Sequence, residues 1–417
     1  MTLPEVDAFE TTRWTVTPSV FPLVGPLLRD VPAFVRAFAQ VKQAAAEANV
    51  AMGCLPQDVG TAISAAAAEL ATAPSCGAFD VPVLQGGGGT ETNLFFNALL
   101  AERATERFHE QALSTKVHPL DHVNRSQSTN DTYPTAQALA TFWWSEPAVA
   151  ALLSLADTFD AKGREVGDLP RLGRTCLQDA VPLTVQQTHH AQADAVKRVA
   201  HGVRSAVAEL LHVPLGGTAI GTGIGAPPGF AERAVGHLRT ISGVDVAPAR
   251  NLFDSFAHLD GYSAVAAACV RAALVLGKIA QDLRILGSGP VGGLGEVTLA
   301  KLLPGSSIMP GKVNPVIPEL VLQYGFKIRG AAHTVDLAVA AGELELNVME
   351  PVILAESQEM MTLLTEGARA FVTCIEGMTW NEEHVRRNLD GSVGKAVESS
   401  VLRGYDSVVS ELLGNTP

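Results

Sequence analysis

Residues 256–286 read FAHLDGYSAVAAACVRAALVLGKIAQDLRIL. The middle of this stretch places alanine, valine, leucine, cysteine and glycine on nearly every face of a helix, so the helix has no wide polar side. A helix that is apolar all round is usually buried all round. Because one chain of 417 residues would struggle to surround several such helices, we expect a helical bundle that extends across subunits. A monomer with this helix at the centre of its bundle is the alternative.

Two charged residues inside the same stretch weigh against a membrane span. Arg271 and Lys278 interrupt its most apolar part, residues 262–280, and charges at that depth are costly in a bilayer. The N-terminus of the chain is acidic and has no apolar segment of the kind found in a signal peptide. We therefore expect a soluble, cytoplasmic protein without a membrane partner.

The composition sets further limits on the class of protein. Hydrophobic residues make up 47% and charged residues 18%, which excludes a disordered chain, and the length predicts about two to three domains. The net charge of −13 argues against nucleic acid as a partner, although a small site sets its own field and can still bind an anion. The cysteines are dispersed, as expected for free thiols, and have no metal-binding spacing: Cys54, Cys76, Cys176, Cys269 and Cys374.

The rest of the chain shows the apolar spacing of helices and almost none of the alternation of strands. We predict helices over residues 31–71, 90–108, 134–163, 182–212, 318–341 and 351–375. Several of these are longer than the usual helix of a globular protein, which favours a bundle of long helices.

Three patterns resemble cofactor or metal sites but lack the required context. Gly287–Gly292 satisfies GxGxxG, yet it follows a predicted helix instead of a strand. Gly305–Val313 resembles a P-loop, but its glycines are one residue too far apart and Val313 replaces the hydroxyl residue that binds magnesium. His189 and His190 are neighbours on a predicted helix and therefore point in different directions. The sequence thus predicts neither a cofactor nor a metal.

Four segments combine glycines with hydroxyl, amide or charged side chains beside a predicted helix start. They are GGGGTETN (86–93), SQSTNDTYP (126–134), GRTCLQDAVP (173–182) and GSSIMPGKVNP (305–315). Pro134 and Pro182 suit the first turn of a helix, which places the polar clusters at helix N-termini, where N–H groups favour carboxylates. Any one of the first three could simply be a flexible loop or a helix cap. Together the four predict a site for a small, multiply anionic substrate.

These four segments resemble the signature sequences of the fumarase/aspartase superfamily and occur in the same order. GSSIMPGKVNP is similar to its mobile loop, and VHPLDHVNRSQSTNDTYPTA, GGGGTETN and GRTCLQDAVPLT are similar to its other motifs. Downstream, VNPVIPELV and GELELNVMEPVI resemble aspartases more than fumarases. The resemblance covers residues 84–405. We expect a chain trimmed at both ends, without the usual N-terminal segment and with a shortened C-terminal domain.

The resemblance implies an all-α fold of three domains with a tetrameric helical core. The expected domains are an N-terminal, mainly helical one (1–125), a central bundle of long helices (126–376) and a short C-terminal helical one (377–417). It also implies a homotetramer in which each active site draws on three subunits. The expected ligand is a small dicarboxylate or amino acid.

The implied reaction is the reversible anti elimination of ammonia from L-aspartate, which gives fumarate through an aci-carboxylate intermediate. By resemblance Ser306 is the general base, and Lys312 with backbone N–H groups of its loop would stabilise the alkoxide. The residues implied to hold the carboxylate that becomes the aci form are Thr90, Ser128, Thr129 and Ser307. Those implied for the other carboxylate are Lys312, Asn314 and Thr175, and those for the amino group are Thr90 and Asn130.

Some positions depart from the family pattern and define the alternatives. Cys176 stands where most members have a histidine, which in fumarases pairs with a glutamate matching Glu319. We expect a buried, inert thiol there, and its presence disfavours a fumarate hydratase more than an ammonia-lyase. Glu91 replaces a Ser or Gln and could attract a cationic group, so an N-substituted aspartate is an alternative substrate. A non-catalytic member of the family is the last alternative.

Overall fold

The computed structural model describes residues 19–74, 79–392, 394 and 396–414; Cys76 lies outside them. The predicted all-α class is confirmed, since helices make up most of the described residues. The helices are α1 Pro32–Ala51, α2 Gln57–Thr72, α3 Thr90–Glu110, α4 Thr129–Val166, α5 Val185–Glu209, α6 Phe230–Ser242, α7 Leu252–Ala257, α8 Asp260–Leu286, α9 Val316–Val339, α10 Glu350–Glu376, α11 Glu382–Asp390, α12 Ala396–Arg403 and α13 Tyr405–Gly414.

Short strands pair in three places within the described residues. β1 (Pro170–Thr175) and β2 (Gln178–Thr184) form an antiparallel hairpin. β3 (His212–Val213) pairs in parallel with β4 (Ala247–Pro248). β5 (Val297–Thr298) pairs antiparallel with β6 (Thr379–Trp380).

The helix predicted over residues 31–71 is two helices instead of one. Gly53 has φ 70°, a left-handed conformation that commonly ends a helix, and Pro56 directly precedes α2. The two helices then pack closely, because a Cβ atom at Gly60 would lie 2.0 Å from the Val50 side chain. The apolar spacing therefore predicts both helices, but it does not reveal the break between them.

Two predicted helix starts were wrong. α4 begins at Thr129, so Pro134 lies inside the helix and the polar residues before it form the first turn. Pro182 lies in β2, opposite Leu172, and α5 begins only at Val185. Residues 173–182 therefore form a β-hairpin whose polar tip is a turn, and they do not lead directly into a helix.

The chain divides into two compact units, described separately below. Unit 1 comprises the described residues of Met1–Pro147, Val203–Cys269 and Arg329–Thr362, and unit 2 those of Ala148–Gly202, Val270–Ile328 and Leu363–Pro417. The boundaries between units fall inside α4, α5, α8, α9 and α10. The three-domain division inferred from the resemblance stays a prediction.

Aromatic rings join the helices of the unit 1 core. Phe38 on α1 stacks on Phe96 of α3 with ring centroids 4.5 Å apart, and Phe34 contacts Tyr133 of α4 at 4.9 Å. All four side chains are fully buried. Packing of this kind fixes the start of α4 against α1 and α3, which is where the candidate site begins.

In unit 2 a buried histidine connects α5 to the segment around β6. Trp380 Nε1 donates to His189 Nε2 at 3.0 Å, and His189 Nδ1 lies 2.9 Å from Gln192 Oε1. Burial lowers the pKa of His189 to about 4. His189 is therefore a neutral core residue.

Helix α8 is not buried all round within one chain. Its residues Ala264, Ala267, Arg271, Leu274 and Lys278 are exposed on one side, and Leu274 is 55% exposed. Helices α4 and α8 are long and apolar enough to cross a membrane, with 56% and 44% of their most apolar stretches buried inside the protein. Core helices of soluble proteins meet the same criteria, so this finding is weak evidence for a membrane span.

Candidate active site

The glycine run in unit 1 forms a tight left-handed turn before α3. Gly87, Gly88 and Gly89 have φ angles of 74°, 62° and 86°. A Cβ atom at Gly89 would lie 2.1 Å from the Tyr133 ring, so no other residue fits without displacing that ring. The turn therefore rests directly on the first part of α4, as close backbone approach requires.

The first turn of α4 is tied to neighbouring segments of unit 1 by hydrogen bonds. Asn93 Nδ2 on α3 donates to Thr129 Oγ1 at 3.1 Å. Asn130 Nδ2 donates to the Ala219 carbonyl at 2.7 Å, and the Asn130 N–H donates to Ser128 Oγ at 3.3 Å. The structure thus brings the glycine turn, the start of α4 and residues 216–219 together.

The directions of these hydrogen bonds define which groups of a ligand the side chains of this region can bind. The hydroxyls of Ser128 and Thr129 each accept an N–H group, and their own hydrogens have no acceptor among the described residues. Such hydroxyls suit a carboxylate. Thr90 Oγ1 donates to the Gly87 carbonyl at 2.7 Å, and the Asn130 amide nitrogen is engaged with Ala219. Their oxygens can accept from an ammonium group.

A buried carboxyl group that sequence reasoning did not assign supports this region. Asp131 is fully buried and accepts from the N–H groups of Ser128 at 2.9 Å, Gly216 at 3.1 Å and Thr218 at 3.0 Å. Burial raises its pKa to about 7, although these bonds and the charge of Lys42 lower it. Asp131 stood inside the quoted SQSTNDTYP segment, so its position was a usable signal.

A second unassigned carboxyl group lies beneath the glycine turn. Glu350, at the start of α10, is 3% exposed, and burial raises its pKa to about 8. A Cβ atom at Gly88 would lie 3.5 Å from Glu350 Oε2. The only sequence signal for it was its place in the quoted GELELNVMEPVI segment.

In unit 2 the loop containing Ser306 is closed at its neck by two hydrogen bonds. The Gly305 N–H donates to the Lys312 carbonyl at 3.0 Å, and Asn314 Nδ2 donates to the Gly305 carbonyl at 2.7 Å. A Cβ atom at Gly305 would lie 2.2 Å from that lysine carbonyl, so the neck requires glycine. The Lys312 and Ser307 side chains are exposed on this loop.

Ser306 has the environment that an anionic oxygen needs. Its Oγ accepts from the N–H groups of Ile308 at 3.2 Å and Met309 at 3.0 Å. Two backbone donors on one hydroxyl oxygen stabilise its deprotonated form and lower the cost of using it as a base.

The hairpin in unit 2 presents Thr175 and Cys176 at its tip. Cys176 is exposed, with φ 55°, so the expectation of a buried thiol was wrong. The position is exposed because it lies in the two-residue turn between β1 and β2. Next to this tip, Arg174 anchors the hairpin, since its Nη2 lies 2.5 Å from Oε1 of the fully buried Glu296. Glu319, on α9, lies 3.9 Å from Arg284.

Glu91 binds a part of its own chain. Its two carboxylate oxygens accept from Ser19 Oγ at 2.9 Å and from the Val20 N–H at 3.0 Å. Further along, a backbone bridge joins Leu27 to Pro82. The segment that precedes α1 is therefore fastened beside the glycine turn, a contact that no local pattern could reveal.

The sequence-predicted residues thus fall into two sets. Thr90, Ser128, Thr129 and Asn130 lie together in unit 1, whereas Thr175, Ser306, Ser307, Lys312 and Asn314 belong to unit 2. Among the described residues no cluster of histidine, cysteine, aspartate and glutamate could hold a metal ion.

Comparisons with known proteins identify the family of this chain. A family described as lyase matches residues 27–330. The aspartate ammonia-lyase of Pseudomonas aeruginosa is 42% identical over 390 residues, which cover 93% of this chain and 82% of that protein. The aspartate ammonia-lyase of Escherichia coli K12 is 40% identical over 370 residues, covering 88% of this chain and 77% of that protein.

Two solved structures share the fold. The fumarate lyase:delta crystallin of Brucella melitensis has a TM-score of 0.88 and 39% identity, covering 94% of this chain and 85% of that one. A class II fumarase of Schistosoma mansoni has a TM-score of 0.87 and 31% identity, and the match covers 91% of this chain and 83% of that one. Fold, motifs and relatives together define a carbon–nitrogen lyase. The chain belongs to the fumarase/aspartase superfamily and is aspartase-like within it.

Proposed function

We propose that this enzyme catalyses the reversible anti elimination of ammonia from L-aspartate to give fumarate, with Ser306 as the general base and no cofactor. The observation that carries the proposal is the pair of backbone N–H groups, from Ile308 and Met309, that donate to Ser306 Oγ. A serine hydroxyl is a poor base unless its alkoxide is stabilised, and these donors, with the ammonium of Lys312, would supply that stabilisation.

Removal of the Cβ proton leaves charge that must move onto the adjacent carboxylate. Donors placed around that carboxylate stabilise the aci form more than the ground state, which is the requirement for catalysis. Ser128 and Thr129 are suited to this role because their hydroxyl hydrogens are free to point at substrate. The additional donors proposed are the hydroxyls of Thr90 and Ser307, and Thr90 would have to release the Gly87 carbonyl to act as one.

The opposite end of the substrate needs acceptors and a positive charge. Asn130 Oδ1 and, while its hydrogen stays on Gly87, Thr90 Oγ1 would accept from the leaving ammonium. Lys312, Asn314 and Thr175 would hold the second carboxylate, and the ammonium of Lys312 supplies the charge. Asn314 has one amide hydrogen left after its bond to Gly305.

We further propose a cytoplasmic homotetramer in which each active site draws on three subunits. The exposed Ala264, Ala267 and Leu274 on α8 support this assembly, since small and apolar residues on one side of a helix can pack against the same helix of another subunit. The small substrate requires no nucleic-acid or membrane partner.

A fumarate hydratase is the second candidate, because one of the matching structures is a fumarase. The hydroxyl of malate is a poorer leaving group than ammonium and needs more help from an acid. Cys176 occupies the position implied for the assisting histidine, and Glu319 faces Arg284. These observations favour the ammonia-lyase.

The remaining alternatives are weaker. An N-substituted aspartate with a cationic extension would need the Glu91 carboxylate, yet both of its oxygens already accept from residues 19 and 20. A non-catalytic role would not need Ser306, Lys312 and Asn314 together on one loop. Neither alternative explains the site as well as aspartate does.

The test is an assay of the purified protein with L-aspartate and L-malate in separate reactions, following fumarate absorbance and ammonia. We expect fumarate and ammonia in equal amounts from aspartate. Fumarate from malate alone would overturn the proposal in favour of the hydratase. If neither compound reacts, an N-substituted aspartate is assayed in a third reaction, and fumarate from that compound alone would overturn the proposal in favour of the N-substituted substrate.

A further inference from the structure

Helix α1 carries a lysine whose charged group lies inside the core of unit 1. Lys42 has no exposed surface, and its Nζ lies 5.7 Å from the centre of the Phe38 ring. Lysine is almost never fully buried unless it is paired, because its ammonium group loses its hydration. Burial lowers the pKa of Lys42 to about 7, against the charge of Asp131, which raises it. A costly group of this kind needs an explanation.

Lys42 forms a hydrogen bond with Asn124, whose side-chain oxygen accepts from several donors. Lys42 Nζ donates to Asn124 Oδ1 at 3.0 Å. Asn93 Nδ2 and Asn97 Nδ2, one turn apart on α3, donate to the same oxygen at 3.2 Å each. The other end of the Asn124 amide donates to the Gln127 carbonyl at 3.2 Å, so its orientation is fixed from both sides.

The Asn124 oxygen sets the orientation of the side-chain amides of Asn93 and Asn97. Their Oδ1 atoms are buried and have no hydrogen-bond partner among the described residues. A buried amide oxygen usually has a hydrogen-bond partner, so its absence here indicates that the N–H groups of the same amides are fixed by their own acceptor. Because Lys42 Nζ donates to it, the oxygen of Asn124 is held toward Lys42, and the same oxygen then faces the N–H groups of Asn93 and Asn97.

Asn93 connects the Asn124 oxygen to the proposed substrate-binding residues. Its Nδ2 also donates to Thr129 Oγ1 at 3.1 Å. If the Asn93 amide were turned round, its oxygen would accept the Thr129 hydroxyl hydrogen, and that hydrogen could no longer reach substrate. Asn97 has the same bond to Asn124 but no bond to Thr129.

We propose that Lys42 is a positioning residue which, through Asn124 and Asn93, keeps the Thr129 hydroxyl turned as a donor toward the substrate carboxylate. This inference rests on the proposed function, since it deepens the role of Thr129 in that site. It differs from a purely structural role for Lys42, because only the positioning role makes its effect on substrate depend on the Thr129 hydroxyl.

A double-mutant cycle between Lys42→Met and Thr129→Val tests the dependence. Methionine keeps the apolar stem and removes the ammonium. Each single change should weaken succinate binding and lower kcat/KM for L-aspartate by about tenfold, and the double variant should be no worse than Thr129→Val alone. Combined with Ser307→Ala, Lys42→Met should instead give multiplied effects. Multiplied effects with Thr129→Val as well would overturn the proposal.

Asn93→Ala and Asn97→Ala form a matched pair that serves if Lys42→Met does not fold. Both remove one buried amide that donates to the same oxygen, so their effects on the unfolding midpoint should be similar. Only Asn93→Ala should weaken succinate binding by about tenfold, while Asn97→Ala should stay within about twofold of wild type. Equal effects on binding would show a structural role alone.

Another buried lysine provides the control for charge burial. Lys162 is 5% exposed and its Nζ donates to the carbonyls of Glu376 and Met378, in unit 2. Lys162→Met should lower the unfolding midpoint, but in succinate binding its effect and that of Thr129→Val should simply multiply. If Lys162→Met instead couples to Thr129→Val as strongly as Lys42→Met does, the specific role of Lys42 is overturned.

Succinate binding separates this inference from the proposed function. A wild type that binds succinate and shows the coupling, but does not turn over aspartate, would refute the proposed reaction alone. A wild type that turns over aspartate without the coupling would refute the positioning role alone.

Discussion

The start of α4 and the loop of residues 305–314 carry the two halves of the predicted site, and they are built in opposite ways. The α4 start is backed by fully buried groups, among them Asp131 and Lys42, and by the Tyr133 ring. The loop is exposed over most of its length and is held by a few bonds across its neck. Preorganised donors suit the carboxylate that changes charge, whereas an exposed loop suits a base that closes over substrate.

The largest effect should follow from removing the proposed base on the loop. Ser306→Ala should lower kcat for aspartate by about 10²–10⁴-fold, because a general base contributes on that scale. Ser307→Ala, the neighbouring change of the same size, should lower kcat by only about tenfold, because it removes one hydrogen bond to the aci-carboxylate. Steady-state kinetics on both variants makes the check, and similar losses of kcat would contradict the assignment.

The next effect compares two glycines with the same backbone conformation. Gly89 has φ 86° beneath the Tyr133 ring, and Gly311 has φ 85° with no heavy atom of the described residues within 4 Å of a built Cβ. Gly89→Ala should cost more than about 3 kcal/mol, since it adds overpacking to backbone strain, and Gly311→Ala only about 1 kcal/mol. Denaturant unfolding measures both. Equal losses of unfolding free energy in the two variants would contradict the expected difference in packing around Gly89 and Gly311.

A pH-dependent effect should be confined to the buried region. The pKa of Glu350 is raised to about 8 in the folded protein from 4.5, so the folded state holds a proton that the unfolded state releases. This group should therefore reduce stability as pH rises from about 4.5 to 8, by a few kcal/mol. Glu350→Gln should flatten that part of the curve relative to wild type.

Unfolding free energies at pH 5 and pH 8 for both proteins decide this prediction. Asp131 and Lys42 also contribute to the pH dependence of stability. Their contributions are the same in wild type and in Glu350→Gln, so they cancel when the two proteins are compared. If wild type and variant lose stability in parallel over this range, Glu350 does not titrate as the buried geometry requires.

The smallest effect should come from the contact of Glu91 with the segment before α1. Glu91→Ser should change stability by less than about 1 kcal/mol, because the contact is partly exposed, but it should speed hydrogen exchange at Val20. The preference for aspartate over an N-substituted aspartate should not change. A shift toward aspartate in this variant would instead revive Glu91 as a specificity residue.

The sequence predicted the long helices and the polar segments because both depend on local chemistry. Apolar spacing located α3, α9 and α10 to within a few residues, and the glycines at 87–89 indicated close backbone approach. The helix boundaries near Pro134 and Pro182 were missed for a common reason. A proline is tolerated in a first turn, inside a helix and in a strand, and the local pattern does not choose among these.

Tertiary structure alone decided which polar atoms donate and which accept. Lys42 and Asn124 are 82 residues apart, and Asn93 and Thr129 are 36 apart, so neither bond leaves a periodic trace in the chain. An alanine-rich helix with one lysine predicts a solvated lysine, and only the packing of α1 against its neighbours places it inside. The sequence therefore determined the helices and the chemical groups of the site. The fold determined their orientation, because the direction of a hydrogen bond depends on the partner that long-range packing supplies.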